Sequence, residues 1–237
     1  MSALTDLRHL NARVQVVHDV VAPNLRAMTL SRLQQLPTTR LAAPDSPLAG
    51  IRQWGCMIGP TPLAPRGPEQ QRYAQHNGAL WAGLEALAPV LESAIVGALQ
   101  ALSDTPVHVA PGRHIASARC MPDGLGAPRH IDRYPDTAAY APLRARCVLD
   151  EQLVWYLMLQ DSPRGGALRV YPGEHPVDQG PPDHAPYDEF LAPAGALLVH
   201  PAARVWHEVR PPLGGDRITL GGICAPLRDG SGWWACA

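Results

Sequence analysis

Three short segments of this 237-residue chain carry side chains that could hold a metal ion or an anion. In Pro128-Arg129-His130-Ile131-Asp132-Arg133-Tyr134, His130 and Asp132 are two residues apart. In an extended chain such residues point to one face, so an imidazole and a carboxylate could reach the same ion. The pair alone decides little: with 10 His and 14 Asp in 237 positions, roughly 0.6 such pairs arise by chance under simple pattern counting. The second segment, Arg204-Val205-Trp206-His207-Glu208-Val209-Arg210, alternates as a half-buried strand does, and puts His207 between Val205 and Val209 on the inner face. That imidazole is either a core histidine bonded to a carbonyl or a metal ligand.

The third segment, Gly215-Asp216-Arg217-Ile218-Thr219-Leu220-Gly221-Gly222, puts Arg217 and Thr219 on the face opposite Ile218 and Leu220. One of these faces is interior. If it is the Arg217 face, the guanidinium needs an anion, because an unpaired buried charge costs several kcal/mol. Asp216 points the other way, so a bound ligand could supply the carboxylate. On the other reading Arg217 is a surface arginine on an edge strand. Together His130, Asp132 and His207 offer two imidazoles and one carboxylate, the set that holds non-haem Fe(II) with open positions for oxygen and a chelating substrate.

The elements that must position these residues change in texture near residue 107. Before it, apolar residues recur every three or four positions over 21–36, and again from Leu80 through Leu84, Leu87, Leu91 and Ile95 within 69–103. Both patterns predict amphipathic helices. Pro89 is expected to kink or divide the second, and residues 41–68 form a Pro/Gly-rich connection. After residue 107 the pieces are strand-length: 114–120, 147–149, 153–160, 167–171, 195–200, 204–210 and 217–224, with turn signals between them. Residues 172–193 form the longest loop, too polar to be buried. The expected architecture is α+β, mainly β: one domain with a helical part (1–106), a β core (107–225) and a C-terminal tail (226–237). Trp233 and Trp234 are expected to pack at the barrel end or at a dimer contact.

Composition narrows the function classes. The net charge is −1 and the 20 cations are all arginine. The absence of lysine excludes Schiff-base chemistry, phosphate-loop NTPases and protein kinases. Interleaved charges argue against nucleic acid and anionic membranes as partners. The five cysteines, Cys56, Cys120, Cys147, Cys224 and Cys236, include no CxxC pair and read as reduced thiols. The N-terminus lacks a signal-peptide core and no apolar run reaches roughly 20 residues, so a soluble cytoplasmic protein is expected.

The order HxD, then a distal His, then Arg ten residues later with Thr two beyond it resembles the Fe(II)/2-oxoglutarate-dependent oxygenases of prolyl-hydroxylase-like type. Gly165-Gly166-Ala167-Leu168 followed by Tyr171-Pro172-Gly173 looks like the family's double-glycine turn, and 193–198 resembles its strand before the distal His. The likeness runs from about 113 to 224. It implies a double-stranded β-helix, or jelly roll, with the N-terminal helices packed on one sheet. It also implies Fe(II) held by His130, Asp132 and His207, with 2-oxoglutarate held through its distal carboxylate by Arg217 assisted by Thr219, and O2 as oxidant. Decarboxylation to succinate would drive oxidation, most simply hydroxylation, of an unactivated C–H bond in a small molecule such as an amino acid or specialised-metabolism intermediate. Asp132 stands where halogenating relatives have a small residue.

Two departures are visible. Ala167 replaces a frequent acidic residue, and 153–160 lacks the usual Asn, leaving Tyr156 or Gln160 to meet the cosubstrate. His200 is the rival metal ligand, without an Arg at the family spacing. His175 and His184 read as solvated loop residues. Arg119, Arg129 and Arg133 are candidate substrate clamps, and the substrate pocket is expected from the N-terminal helices and residues 134–144. Ile223 occupies the place of the second Arg of nucleobase demethylases, which disfavours that activity. Two other readings remain, a cupin-like metal enzyme that does not use 2-oxoglutarate and a non-catalytic jelly-roll module that binds a carboxylate. A homodimer is possible on either.

Overall fold

The computed structural model describes residues 2–42, 44–56, 69–132, 140–173 and 179–237, with side chains omitted over 69–74. In chain order it contains α1 (Ala3–Arg8), β1 (Gln15–Val17), α2 (Pro23–Gln35), β2 (Thr39–Arg40), β3 (Arg52–Trp54), α3 (Glu69–Leu84), α4 (Leu87–Ala101), β4 (Val107–Val109), β5 (Ser117–Met121) and β6 (Ala127–His130). There follow α5 (Ala141–Arg146), β7 (Leu153–Gln160), β8 (Arg164–Gly165), β9 (Leu168–Tyr171), β10 (Asp188–Phe190), β11 (Leu197–His200), β12 (Trp206–Val209), β13 (Pro212–Leu213), β14 (Arg217–Pro226) and β15 (Trp233–Cys236).

Two sheets face one another. The larger has the order β1-β11-β7-β14-β5-β3-β2, and the smaller β10-β9-β12-β6; β15 extends the large sheet by pairing antiparallel with β14 and parallel with β4. Along β14 the strand period separates two cores. Ile218, Leu220 and Cys224 face outward onto Leu33, Leu80, Leu84, Leu91, Ile95 and Leu99 of α2, α3 and α4. On the opposite side of the sheet a second cluster fills the space toward the smaller sheet, with Met121, Tyr156, Met158, Leu198 and Ile223 from the large sheet meeting Val170 and Val209. The helices therefore cover the outside of one sheet, and the sandwich interior is left to the site.

The helix expected over 69–103 is two helices bent by 104°. The break lies at Glu85, whose φ is 50°, rather than at Pro89, which sits in the first turn of α4 where a missing N–H costs nothing. No single described helix is long and apolar enough to cross a membrane, and Leu80, Trp81, Leu84, Leu91, Ile95 and Leu99 of this bent pair lie in the core. Residues 147–149 are not a strand: Cys147 makes one bridge to Leu227, α5 ends just before it, and Leu149–Glu151 is a 3-10 turn. Three apolar residues are too few to fix a period. The expected tail is a strand, β15, with Trp233 buried and Trp234 under the Arg146 guanidinium. The loop 172–193 contains β10, paired with β9; residues 174–178, and His175 with them, lie outside the described residues.

Gly222 marks a tight approach inside the large sheet. A Cβ there would stand 2.6 Å from the carbonyl oxygens of both Ile115 and Cys236, and backbone cannot swing aside. Gly222→Ala should lower stability by about 1–3 kcal/mol through overpacking. Gly97→Ala, on the exposed face of α4 with nothing within 4 Å, should raise it by roughly 0.5–1 kcal/mol. Urea denaturation of the two variants checks both signs.

Candidate metal and carboxylate site

β6 and β12 pair so that His130 lies directly opposite His207. Asp132 follows β6 by two residues, and its backbone N–H donates to the Ala202 carbonyl at 2.9 Å in the turn before β12. One ligating atom from each of the three side chains lies within 4.8 Å of the others. His130 Nε2 is 3.7 Å from Asp132 Oδ1 and His207 Nε2 is 3.8 Å from Oδ2, beyond hydrogen-bond reach. Each ring spends its other nitrogen on its own strand: His130 Nδ1 donates to the Pro128 carbonyl at 2.6 Å and His207 Nδ1 to the Val205 carbonyl at 3.1 Å. A carbonyl can only accept, so both Nδ1 atoms carry the proton and both Nε2 lone pairs turn toward the carboxylate. Such a bond from the far nitrogen to a carbonyl fixes the orientation of an imidazole that would hold a metal.

His207 is fully buried, and its Nε2 makes no hydrogen bond. Burial and the neighbouring His130 push its pKa down to about 4, opposed by Asp132. A buried neutral imidazole with an idle lone pair beside a carboxylate fits a divalent metal, and two nitrogens with one oxygen fit iron(II).

Arg217 lies on the inner face and is 6% exposed. Its Nη2 reaches only the Met158 sulfur, at 3.5 Å, and its Nε makes no hydrogen bond. The adjacent Asp216 is turned outward to Arg52 and the Asp123 N–H, so no described carboxylate pairs with Arg217. Burial lowers its pKa to about 10. Two glycines make room for this arrangement. At Gly166, with φ +71°, a Cβ would lie 3.3 Å from Arg217 Cδ, and at Gly221 it would lie 3.1 Å from the Tyr156 ring. The double-glycine turn thus lets the chain close over the arginine stem. The Arg217 guanidinium carbon sits 5.7 Å from the Tyr156 ring centre. One pocket joins the halves: His130, Tyr156, Arg217, Thr219 and Arg119 line it together with Leu41, Leu48, Ile51, Met121, Ala127 and Val209.

The remaining sequence candidates fall elsewhere. His200 is outside the three-residue cluster. It is fully buried, its ring lies edge-on to His207 at 4.6 Å and stacks on Tyr156 at 5.8 Å, and neither nitrogen has a hydrogen-bond partner among the described residues. Gln160 is not free for a cosubstrate, since its amide donates to the Asp216 carbonyl at 2.9 Å. Arg129 is not in the pocket; it ties down the Pro181 and Pro182 carbonyls, Asp183 and Glu208. His184 is exposed, and Arg133 and most of 134–144 lie outside the described residues. The described pocket wall comes from 41–51 rather than from the N-terminal helices. The apolar spacing of Leu41, Leu48 and Ile51 was the available signal, hidden in a connection read as Pro/Gly-rich.

No family model matches the sequence and no curated protein matches it. Solved structures do. A crystal structure of an N-substituted L-amino acid dioxygenase from Burkholderia ambifaria AMMD is 14% identical, with TM-score 0.58 over 99% of this chain and 90% of that one. The α-ketoglutarate-dependent carbocyclase SnoK of nogalamycin biosynthesis is 14% identical, with TM-score 0.58 over 97% and 89%. A prolyl hydroxylase from Trichoplax adhaerens, solved with a hypoxia-inducible-factor peptide, is 17% identical with TM-score 0.50 over 97% and 90%. The fold is the jelly roll of the 2-oxoglutarate oxygenases. Similarity extends along nearly the whole of each chain, so the N-terminal helices are part of what is shared.

The buried imidazoles also make stability depend on pH. His207 binds a proton more weakly folded than unfolded, and His200, further depressed by burial, does likewise. Their contribution is complete above the unfolded value near 6.5 and is lost as pH falls, His207 alone accounting for roughly 3 kcal/mol between pH 6.5 and 4. The urea midpoint of metal-free protein should therefore fall steadily below pH 6.5. His207→Gln should show a shallower fall; an unchanged slope would contradict the burial of a neutral imidazole.

Proposed function

We propose that the protein is a non-haem Fe(II)/2-oxoglutarate-dependent oxygenase acting on a small molecule, with hydroxylation the simplest outcome. The observation that carries this reading is the Arg217 guanidinium, buried with no carboxylate partner among the described residues in the pocket that His130 also lines. A jelly-roll interior does not keep an arginine in that state for packing, since a hydrophobic residue of similar size would be more stable there. Iron, 2-oxoglutarate and dioxygen together supply an oxidation coupled to loss of carbon dioxide from the keto acid. The chain's own part is positional. His130, Asp132 and His207 hold the metal through two Nε2 atoms and a carboxylate, with both Nδ1 protons fixed on backbone carbonyls. Arg217 takes the distal carboxylate of the cosubstrate, Thr219 adds a hydroxyl on the same face, and Tyr156 stands beside both.

Tyr156 serves as a neutral donor. Burial, with Asp132 nearby, raises its phenol pKa to about 12, so it keeps its proton at any physiological pH. Met158 and Val209 exclude water between the two halves of the site. A metal enzyme that does not use 2-oxoglutarate would need the triad but not Arg217.

Anaerobic titration of the metal-free protein with Fe(II) and 2-oxoglutarate tests the reading through the visible charge-transfer band of the keto-acid chelate. The wild type should develop the band. Arg217→Met should weaken keto-acid affinity at least tenfold with Fe(II) binding retained, and His207→Ala should abolish the band. Iron binding without a band in the wild type would remove 2-oxoglutarate from the assignment.

A further inference from the structure

Beside the triad lies a further histidine, to which neither the metal nor the keto acid gives a role. His200 is the last residue of β11, is fully buried, and neither of its ring nitrogens has a hydrogen-bond partner among the described residues. The two histidines of the triad each spend Nδ1 on a backbone carbonyl of their own strand, whereas His200 spends neither nitrogen. Its ring neighbours are site residues. It stacks on Tyr156 with the ring centres 5.8 Å apart and meets His207 at 4.6 Å with the planes 71° apart. Tyr156 in turn lines the pocket and lies 5.7 Å from the Arg217 guanidinium carbon. The turn after His200 accepts the Asp132 N–H at the Ala202 carbonyl. The imidazole is thus joined through the backbone to one member of the triad and through its ring to another.

Packing does not explain an imidazole at this place. The cross-strand partner of His200 is Val154 and its near neighbour along the same face is Leu198, both in the apolar core. Burying unpaired polar atoms there costs free energy that a phenyl ring of nearly the same shape would not. Whatever its tautomer or charge, an imidazole keeps at least one N–H to donate. Bulk water does not reach a fully buried ring, so the acceptor belongs inside the site. His200 is outside the cluster of three ligating residues, and two imidazoles with one carboxylate leave open positions on a divalent metal for small oxygen ligands. Resting on the metal reading of His130, Asp132 and His207, we propose that His200 forms a small-ligand site between the triad and Tyr156. Its N–H holds a water, or a small anion in its place, at the open side of the metal. The protein keeps the imidazole for that ligand at a cost in its own stability.

The test uses cobalt(II), whose visible d–d bands report binding at the triad, and azide as the small anion. Wild type, His200→Phe, His200→Gln and His207→Ala are titrated with Co(II) and then with azide. For each, the Fe(II) and 2-oxoglutarate chelate band is measured anaerobically, and the urea midpoint of the metal-free protein is measured at neutral pH. The expected result has three parts. Both His200 variants bind Co(II) within threefold of wild type. Azide binds at least tenfold more weakly to His200→Phe but within threefold of wild type to His200→Gln, whose amide can also donate. The midpoint of His200→Phe equals or exceeds that of wild type, which a histidine kept for structure would not allow. The proposal is overturned if azide binds His200→Phe as it binds wild type, or if the His200→Phe midpoint falls below wild type. It is equally overturned if His200→Phe loses Co(II) as fully as His207→Ala, which makes His200 a metal ligand, or loses the chelate band as fully as Arg217→Met, which assigns it to the cosubstrate. If the wild type forms no chelate band yet binds azide on Co(II) in a His200-dependent way, the cosubstrate assignment fails and the small-ligand site stands. If the wild type binds no Co(II), the metal reading fails and this inference falls with it.

Discussion

A guanidinium enclosed between two sheets is the constraint around which the rest of this structure is arranged. Removing Arg217 from water costs several kcal/mol, and no described carboxylate returns it. The fold tolerates that cost because neighbouring elements fix the side chain in one place. Gly166 lacks the Cβ that would press on Arg217 Cδ, Gly221 lacks the one that would displace Tyr156, and Met158 lies along the Nη2 edge. The same strand must also hold the helices, which it does with its other face: Ile218 and Leu220 belong to the core shared with α2, α3 and α4. A one-residue slip of β14 would exchange these faces and put the arginine against the helices, so the helical layer itself defends the register of the site.

The smaller sheet solves the complementary problem of bringing together groups that could hold a cation. Register does most of it, because antiparallel pairing of β6 with β12 sets His130 across from His207. The ladder becomes irregular between His207 and Val209, where Gly126 packs against the Val209 carbonyl so closely that a Cβ would stand 2.5 Å away. Behind the ligands, on the outward face of β12, Glu208 gathers Arg129, Arg169 and Arg210 within 3.5–3.7 Å. That cluster anchors β12 and the 181–183 loop from outside. The inside of the same strand is left with His207 and Val209, with Val205 buried just before it.

How far the site could be read from the sequence follows from where its information lies. HxD, the distal His and the Arg ten residues on are spacing along short strands, and spacing of that kind survives in sequence because period-2 geometry translates it directly into a shared face. The face of Arg217 was open at that stage, since alternation identifies two faces without saying which is buried; the outward turn of Asp216 decides it. Helices α2 to α4 were legible from their 3.6-residue period, and their break was misplaced because Pro89 is tolerated in a first turn. The strands β2, β3, β4 and β15 were not legible. Each is 2–4 residues long, too short for a period; β3 and β15 form on the edges of the longer β5 and β14, and β2 and β4 pair in turn with β3 and β15. The pocket wall at 41–51 belongs to the same class, as it is shaped by docking beside β5 rather than by local propensity.

The division of labour between the sheets bears on what can react in such a site. One sheet brings two imidazoles beside a carboxylate, and the other carries the buried Arg217 guanidinium, with apolar side chains such as Met158 and Val209 between them. On the proposed oxygenase reading, a dicarboxylic keto acid would span that gap, one end at each sheet. Where the Arg217 end of that gap lies relative to the histidines is set by the register of β14 against β5 and β7, so the arginine cannot shift without unzipping the sheet.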